Sequence, residues 1–168
     1  MSESYVEYLV QRKATPLNKA VLVCLYVWTG FFVLFGFLGN VTSLFLGIIF
    51  AGISYFTTLR LNVEYEYLFL GKDLSVDRIQ ARSKRKKMQE FDLVRMELLA
   101  PVSSHRLDSY KNSNRKYVTY DFSSRDAQAN IYCLIYEGDN EVAKVYIDMT
   151  DELLDCFKTV SPRKVFTD

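Results

Sequence analysis

Arg82, Lys84, Arg85, Lys86 and Lys87 place five cations within six positions, the densest run of one charge in the chain. Such a run suits contact with an anionic surface, because each Lys or Arg near a negatively charged leaflet gains about 1 kcal/mol of attraction. These five residues are the candidate lipid- or anion-binding set. The competing reading is a solvated loop that balances the acidic stretch from Asp126 to Asp155. That stretch holds eight carboxylates and a single cation, Lys144. No aromatic residues are interleaved with the basic run, so the stacking platform expected of a single-strand nucleic-acid binder is missing and no nucleic-acid partner is expected.

Catalytic chemistry has less to build on. The one histidine, His105, stands beside Ser103, Ser104 and Asp108, and residues so close in sequence rarely assemble a nucleophile, a base and an orienting acid. Cys24, Cys133 and Cys156 are odd in number and show no C-x-x-C spacing. They read as reduced thiols, which excludes a disulfide framework and a zinc site. Five of the seven glycines lie between Gly30 and Gly52, leaving no glycine-rich phosphate loop in the polar part. No catalytic residue, metal or cofactor is expected.

The elements that would position the basic run begin with a long apolar segment. Residues 20–59 carry no charged side chain, and Gly39-Asn40 interrupts them at the centre. Each half would rise about 28 Å as a helix, close to the roughly 30 Å hydrocarbon thickness of a bilayer. The mean hydropathy of the whole chain, -0.02, hides this because it averages two unlike parts. A signal peptide has a shorter apolar core and a small-residue cleavage site. A soluble helical hairpin would show a polar stripe. Residues 16–59 are therefore expected to form a two-helix transmembrane hairpin. Within it, Gly47, Ala51 and Ser54 are spaced to line one face of the second helix, where small residues allow close approach.

A short connection returns the chain to the side it came from. Arg12, Lys13 and Lys19 precede the hairpin and Arg60 closes it, whereas the turn is uncharged. The positive-inside rule then puts both termini in the cytoplasm. Asn40-Val41-Thr42 matches a glycosylation acceptor, yet in so short a turn it reads better as a polar connection. Residues 1–15 form an N-terminal cytoplasmic segment in which Ser4-x-x-Glu7 has capping-box spacing, so an interfacial helix is expected there.

Residues 60–168 hold 18 basic and 18 acidic residues, enough chain for one small domain. Alternation of Leu61, Val63, Tyr65, Tyr67 and Phe69 marks a strand that follows the hairpin directly. Gly71-Lys72-Asp73 supplies a turn, Leu74, Val76 and Ile79 a second strand, and Met88 to Leu98 one or two more. Residues 102–116 read as a long loop. Strands return at 117–122, 129–136 and 142–149, the last two joined by Glu137-Gly138-Asp139-Asn140. Thr150 caps a final helix bearing Leu153, Leu154, Phe157 and Val160, which Pro162 ends.

This order resembles a pleckstrin-homology-like barrel of six or seven antiparallel strands with a C-terminal helix, and it is similar to the bacterial membrane-anchored proteins of that type. Tyr5-Val6-Glu7-Tyr8-Leu9-Val10, Asn62-Val63-Glu64-Tyr65-Glu66-Tyr67 and Ser161-Pro162-Arg163-Lys164-Val165-Phe166 look like an uncharacterised family of small two-span proteins from Gram-positive anaerobic bacteria. The resemblance implies the bacterial cytoplasmic membrane and no functional residue. The expected role is a non-catalytic binding or scaffold module on that membrane, its partners the bilayer and its anionic headgroups. The alternative is an accessory subunit that docks a protein partner in the membrane.

Overall fold

The computed structural model describes residues 5–80, 84–113, 115–139 and 141–168. Two helices, α1 (Pro16–Phe37) and α2 (Val41–Leu61), form the hairpin, and both are long and apolar enough to cross a membrane. Their ends follow local chemistry. Thr15 accepts a hydrogen bond from the Asn18 amide at 3.4 Å, with proline opening the helix behind it. Gly39 turns the chain at φ +96°, a conformation that favours glycine, and Asn40 caps α2 by accepting from the Ser43 amide at 3.2 Å. Asn40 is thus a helix cap, in keeping with the polar-turn reading.

The two helices meet through their smallest residues. A Cβ on Gly47 would lie 2.9 Å from Val33 Cγ2, and one on Gly36 would lie 2.9 Å from Leu44 Cβ. Gly47 and Ser54 are the buried residues of α2, whereas Ala51, expected on the same face, points outward. The Thr29 and Ser54 hydroxyls, 3.4 Å apart, and those of Tyr26 and Thr58, 3.0 Å apart, add polar contacts across the pair.

The hairpin is inserted between two neighbouring strands. β1 (Tyr5–Gln11) pairs antiparallel with β2 (Val63–Leu70), so that Gln11 faces Glu64. This corrects the expected interfacial helix of the N-terminal segment. Val6, Tyr8 and Val10 alternate along β1, and their burial against the core outweighs the local capping-box signal. β3 (Asp73–Gln80) and β4 (Lys84–Asp92) complete a sheet of order β1-β2-β3-β4.

A one-turn 3-10 helix at Leu93–Arg95, capped by Asp92, then redirects the chain into a second sheet. Its members are β5 (Met96–Pro101), β6 (Val118–Asp121), β7 (Ile131–Glu137) and β8 (Val142–Asp148), in the order β5-β7-β8-β6. The expectation of one barrel of six or seven antiparallel strands is therefore corrected. Eight strands lie in two four-stranded sheets, no strand pairing joins the sheets among the described residues, and β6 runs parallel to β8. Part of the expected 102–116 loop is ordered on the outer face of the second sheet. There Leu107 and Tyr110, from the turn leading into α3 (Asp108–Lys111) and from α3 itself, pack with Leu98, Ala100, Cys133 and Ile135.

The sheets share one core. Tyr65, Tyr67, Phe69, Leu74, Val76 and Phe91 come from the first sheet and meet Leu99, Leu134, Val145 and Ile147 of the second. The helix α4 (Asp151–Val160), capped by Thr150, adds Leu153 and Phe157, with the Phe157 ring 6.3 Å from that of Phe69. Phe69 lies six residues along β2 from Val63, about 20 Å from the hairpin at strand rise. The amphipathic helix therefore closes the end of the core away from the hairpin. Polar residues occupy the other end. The Tyr67 hydroxyl is buried there, donating to the Phe122 carbonyl at 2.8 Å.

A second set of bonds fastens the hairpin to this polar end. Arg12 donates to the Tyr65 hydroxyl at 2.6 Å and pairs with Asp121 at 2.7 Å, while the Lys13 amide donates to the Ser124 carbonyl at 2.7 Å. Burial opposes charge on the Asp121 carboxyl. The hydrogen bonds from Ser123 and Arg125, together with the charges of Arg12 and Arg125, outweigh it and hold the pKa below its ordinary 3.8.

Two predictions follow from these contacts. Gly47→Leu should force α1 and α2 apart and lower the unfolding midpoint in detergent, by an amount equivalent to about 1–3 kcal/mol for overpacking a tight contact. Gly30→Ala should not lower the midpoint, since nothing lies within 4 Å of a Cβ there and alanine suits a helix interior better than glycine. A carboxyl whose folded pKa is depressed contributes stability that is complete above its unfolded pKa and is lost as pH falls through the folded value. The domain's unfolding midpoint should accordingly hold between about pH 7 and 5 and fall below about pH 4. Asp121→Asn should reduce that fall.

Candidate functional site

The basic run of the sequence falls between the end of β3 and the first half of β4. Arg82 lies outside the described residues, and Lys84 to Lys87 open β4, the outer strand of the first sheet. Register fixes their level relative to the hairpin. Lys84 faces Gln80 and Gln80 faces Val63, two residues beyond the end of α2. At a strand spacing of about 4.8 Å, Lys84 stands about 10 Å across the sheet from Val63. Lys87 is about 10 Å farther along the strand, away from the hairpin.

The pleat divides the run. Residues 84–87 pair without interruption with 80–77, so their side chains alternate between the two faces. Arg85 belongs to the outer face, where it pairs with Glu66 and, at 2.7 Å, with Asp77. Glu66 is only 5% exposed. Burial pushes its carboxyl pKa upward against the pull of Arg85, while neighbouring Glu7 is lowered, first by a hydrogen bond from Tyr5 and then by one from Glu66. Glu66 and Asp77 thus engage the one guanidinium with Glu7 nearby, and this patch is not cationic. Lys87 is also engaged, with Glu90 at 2.8 Å. Lys84 and Lys86 share the opposite face, are exposed, and have no ion-pair partner among the described residues.

Sequence reasoning missed a second basic group at the same end. Arg12, Arg60, Arg78 and Arg125 come from four separate segments and line one cavity of about 230 Å³. Arg12 and Arg60 were legible only as charges flanking the apolar run. Nothing in the sequence tied Arg78 or Arg125 to them, because the sheet register and the loop after β6 bring them together.

The remaining chemistry-bearing residues stay apart. His105 is fully exposed, and its nearest acid is Asp108, at 3.4 Å. Burial pushes the Cys133 thiol up to about 11, which makes it a poor nucleophile at neutral pH. Cys156 is buried too, whereas Cys24 faces outward from α1. Among the described residues no group of three His, Cys, Asp or Glu side chains is placed to hold a metal ion.

No curated protein and no solved structure matches the chain. Paired apolar helices joined to a mainly β domain that ends in a core-closing helix nevertheless agree with one family comparison. Residues 2–167 match the family described as Bacterial PH-like domain (DUF6106), and the chain belongs to that family.

Proposed function

We propose that this protein is a non-catalytic binding or scaffold module, anchored by its hairpin in the bacterial cytoplasmic membrane with both termini and the β domain on the cytoplasmic side. Its β3–β4 end rests against anionic headgroups. One observation carries the reading: the register that sets Lys84 level with Val63, beside the end of α2. Cations held there lie within about one screening length of a leaflet surface, since that length is about 10 Å at 0.1 M salt. Lys84 and Lys86 are the side chains free to act. Arg85 and Lys87 already satisfy carboxylates of the domain itself. Membership of a PH-like family supports a binding role in place of a catalytic one.

The test uses full-length protein in nanodiscs. Backbone amides of Lys84–Lys87 should exchange more slowly in discs containing phosphatidylglycerol than in phosphatidylcholine discs. Two lysines at about 1 kcal/mol each set the scale at roughly thirtyfold. The difference should vanish in Lys84→Gln/Lys86→Gln and shrink at high salt. Equal exchange in both lipids would refute the contact.

A further inference from the structure

We propose that the 230 Å³ cavity between the two junctions of hairpin and domain is a specific phosphate site, occupied in the membrane by the headgroup phosphate of an anionic lipid. It differs from the lysine face of β4 in position, in residues and in kind. The lysines offer diffuse attraction to a surface, whereas the cavity offers converging donors to one group.

Three observations converge on this site. The first is an excess of cations with nothing to neutralise them. Arg12, Lys13, Arg60, Arg78 and Arg125 all line the cavity. Asp121 is shared by Arg12 and Arg125, and Asp126 pairs with Lys13. The side chains of Arg60 and Arg78 have neither a hydrogen bond nor an ion pair among the described residues.

The second is a specific defect. The Nε of Arg78 is buried without a hydrogen-bond partner, although a buried charged donor left unsatisfied costs several kcal/mol on its own. Directly opposite Arg78 across the β3–β4 ladder stands Lys86, a like charge where a sheet prefers an opposite one. Sequence-local chemistry gives no reason for an arginine here. An anion in the cavity that Arg78 lines would offset that concentration of positive charge.

The third is place and size. Thr15 and Asn18 from the start of α1 and Arg60 from the last turn of α2 border the cavity, so it lies at the level where both helices reach the domain. Helix starts favour anions, and guanidinium forks match phosphate oxygens in pairs. A volume of 230 Å³ falls below the roughly 300 Å³ at which sites for whole drug-sized ligands begin. It fits a phosphate and its ester linkage better than a nucleotide. Only the lipid source rests on the bilayer placement proposed above; the phosphate chemistry does not.

Full-length protein in maltoside micelles, with no bilayer present, separates this site from the lysine face. Calorimetric titration with dihexanoyl phosphatidic acid should show saturable binding of one molecule per chain. Arg60→Gln should weaken binding about tenfold, the loss expected for one charge-assisted contact. Arg60 is exposed and without internal partners, so that variant keeps its fold. Arg78→Gln should weaken binding similarly. A parallel titration with inorganic phosphate identifies the source. Lipid-analogue binding without phosphate binding supports a headgroup, and equal binding of both supports the site with free phosphate as its ligand. The absence of saturable binding by either, or affinity unaltered in Arg60→Gln, overturns the proposal.

Discussion

The pairing of β1 with β2 is the constraint from which the rest of the molecule follows. The strands are neighbours in one sheet, yet the whole hairpin lies between them in sequence. Adjacent strands are about 4.8 Å apart, whereas packed helices are 8–10 Å apart. The chain must bridge that difference with residues 12–15 on one side and Asn62 alone on the other. Close helix packing keeps the mismatch small, which is where Gly36 and Gly47 matter: each lets the opposite backbone approach to a distance that a Cβ would block. The two helices must also run antiparallel, because the strands they connect do.

Two attachments also join the hairpin to the domain. A single flexible tether would let the β domain tumble near its anchor. Here Arg12 reaches Tyr65 and Asp121 from one junction, while β2 begins two residues after α2 at the other. The core then has two unlike ends. The far end is closed by α4 with Leu153 and Phe157, and the near end is filled by hydroxyls, carboxylates and arginines. A formal net charge of +1 gives no hint of this polarity, because the acidic and basic residues balance in number but not in place.

What the sequence revealed divides along the range of the interactions involved. The hairpin, its polar turn, the Thr150 cap and the β2–β3 turn are local, and a few neighbouring residues specify each. β1 was hidden because Ser4 and Glu7 imitate a helix start, while its true partner lies more than fifty residues away. The parallel course of β6 leaves no trace in alternation, which marks a strand without giving its direction. The basic run was visible as composition, but the pleat sends Arg85 and Lys87 to one face and Lys84 and Lys86 to the other. The arginine cavity was beyond reach, because four segments build it and no two of its four arginines are near in sequence.

Anchoring changes what such weak contacts can accomplish. A soluble domain that met a membrane through two lysines would gain about 2 kcal/mol and lose more, since association from solution costs roughly 4–15 kcal/mol in translational and rotational freedom. A domain held at the surface by two short junctions, as proposed here, would not incur that cost again, and the same lysines would act at an effective concentration set by the tether. Small differences in headgroup charge can then shift how the domain sits without deciding whether it binds at all. The rigid β1–β2 junction matters here as well. Arg12, in the connection between β1 and α1, pairs with Asp121, so under the proposed headgroup contact a displacement of that connection would reach the polar floor of the domain directly.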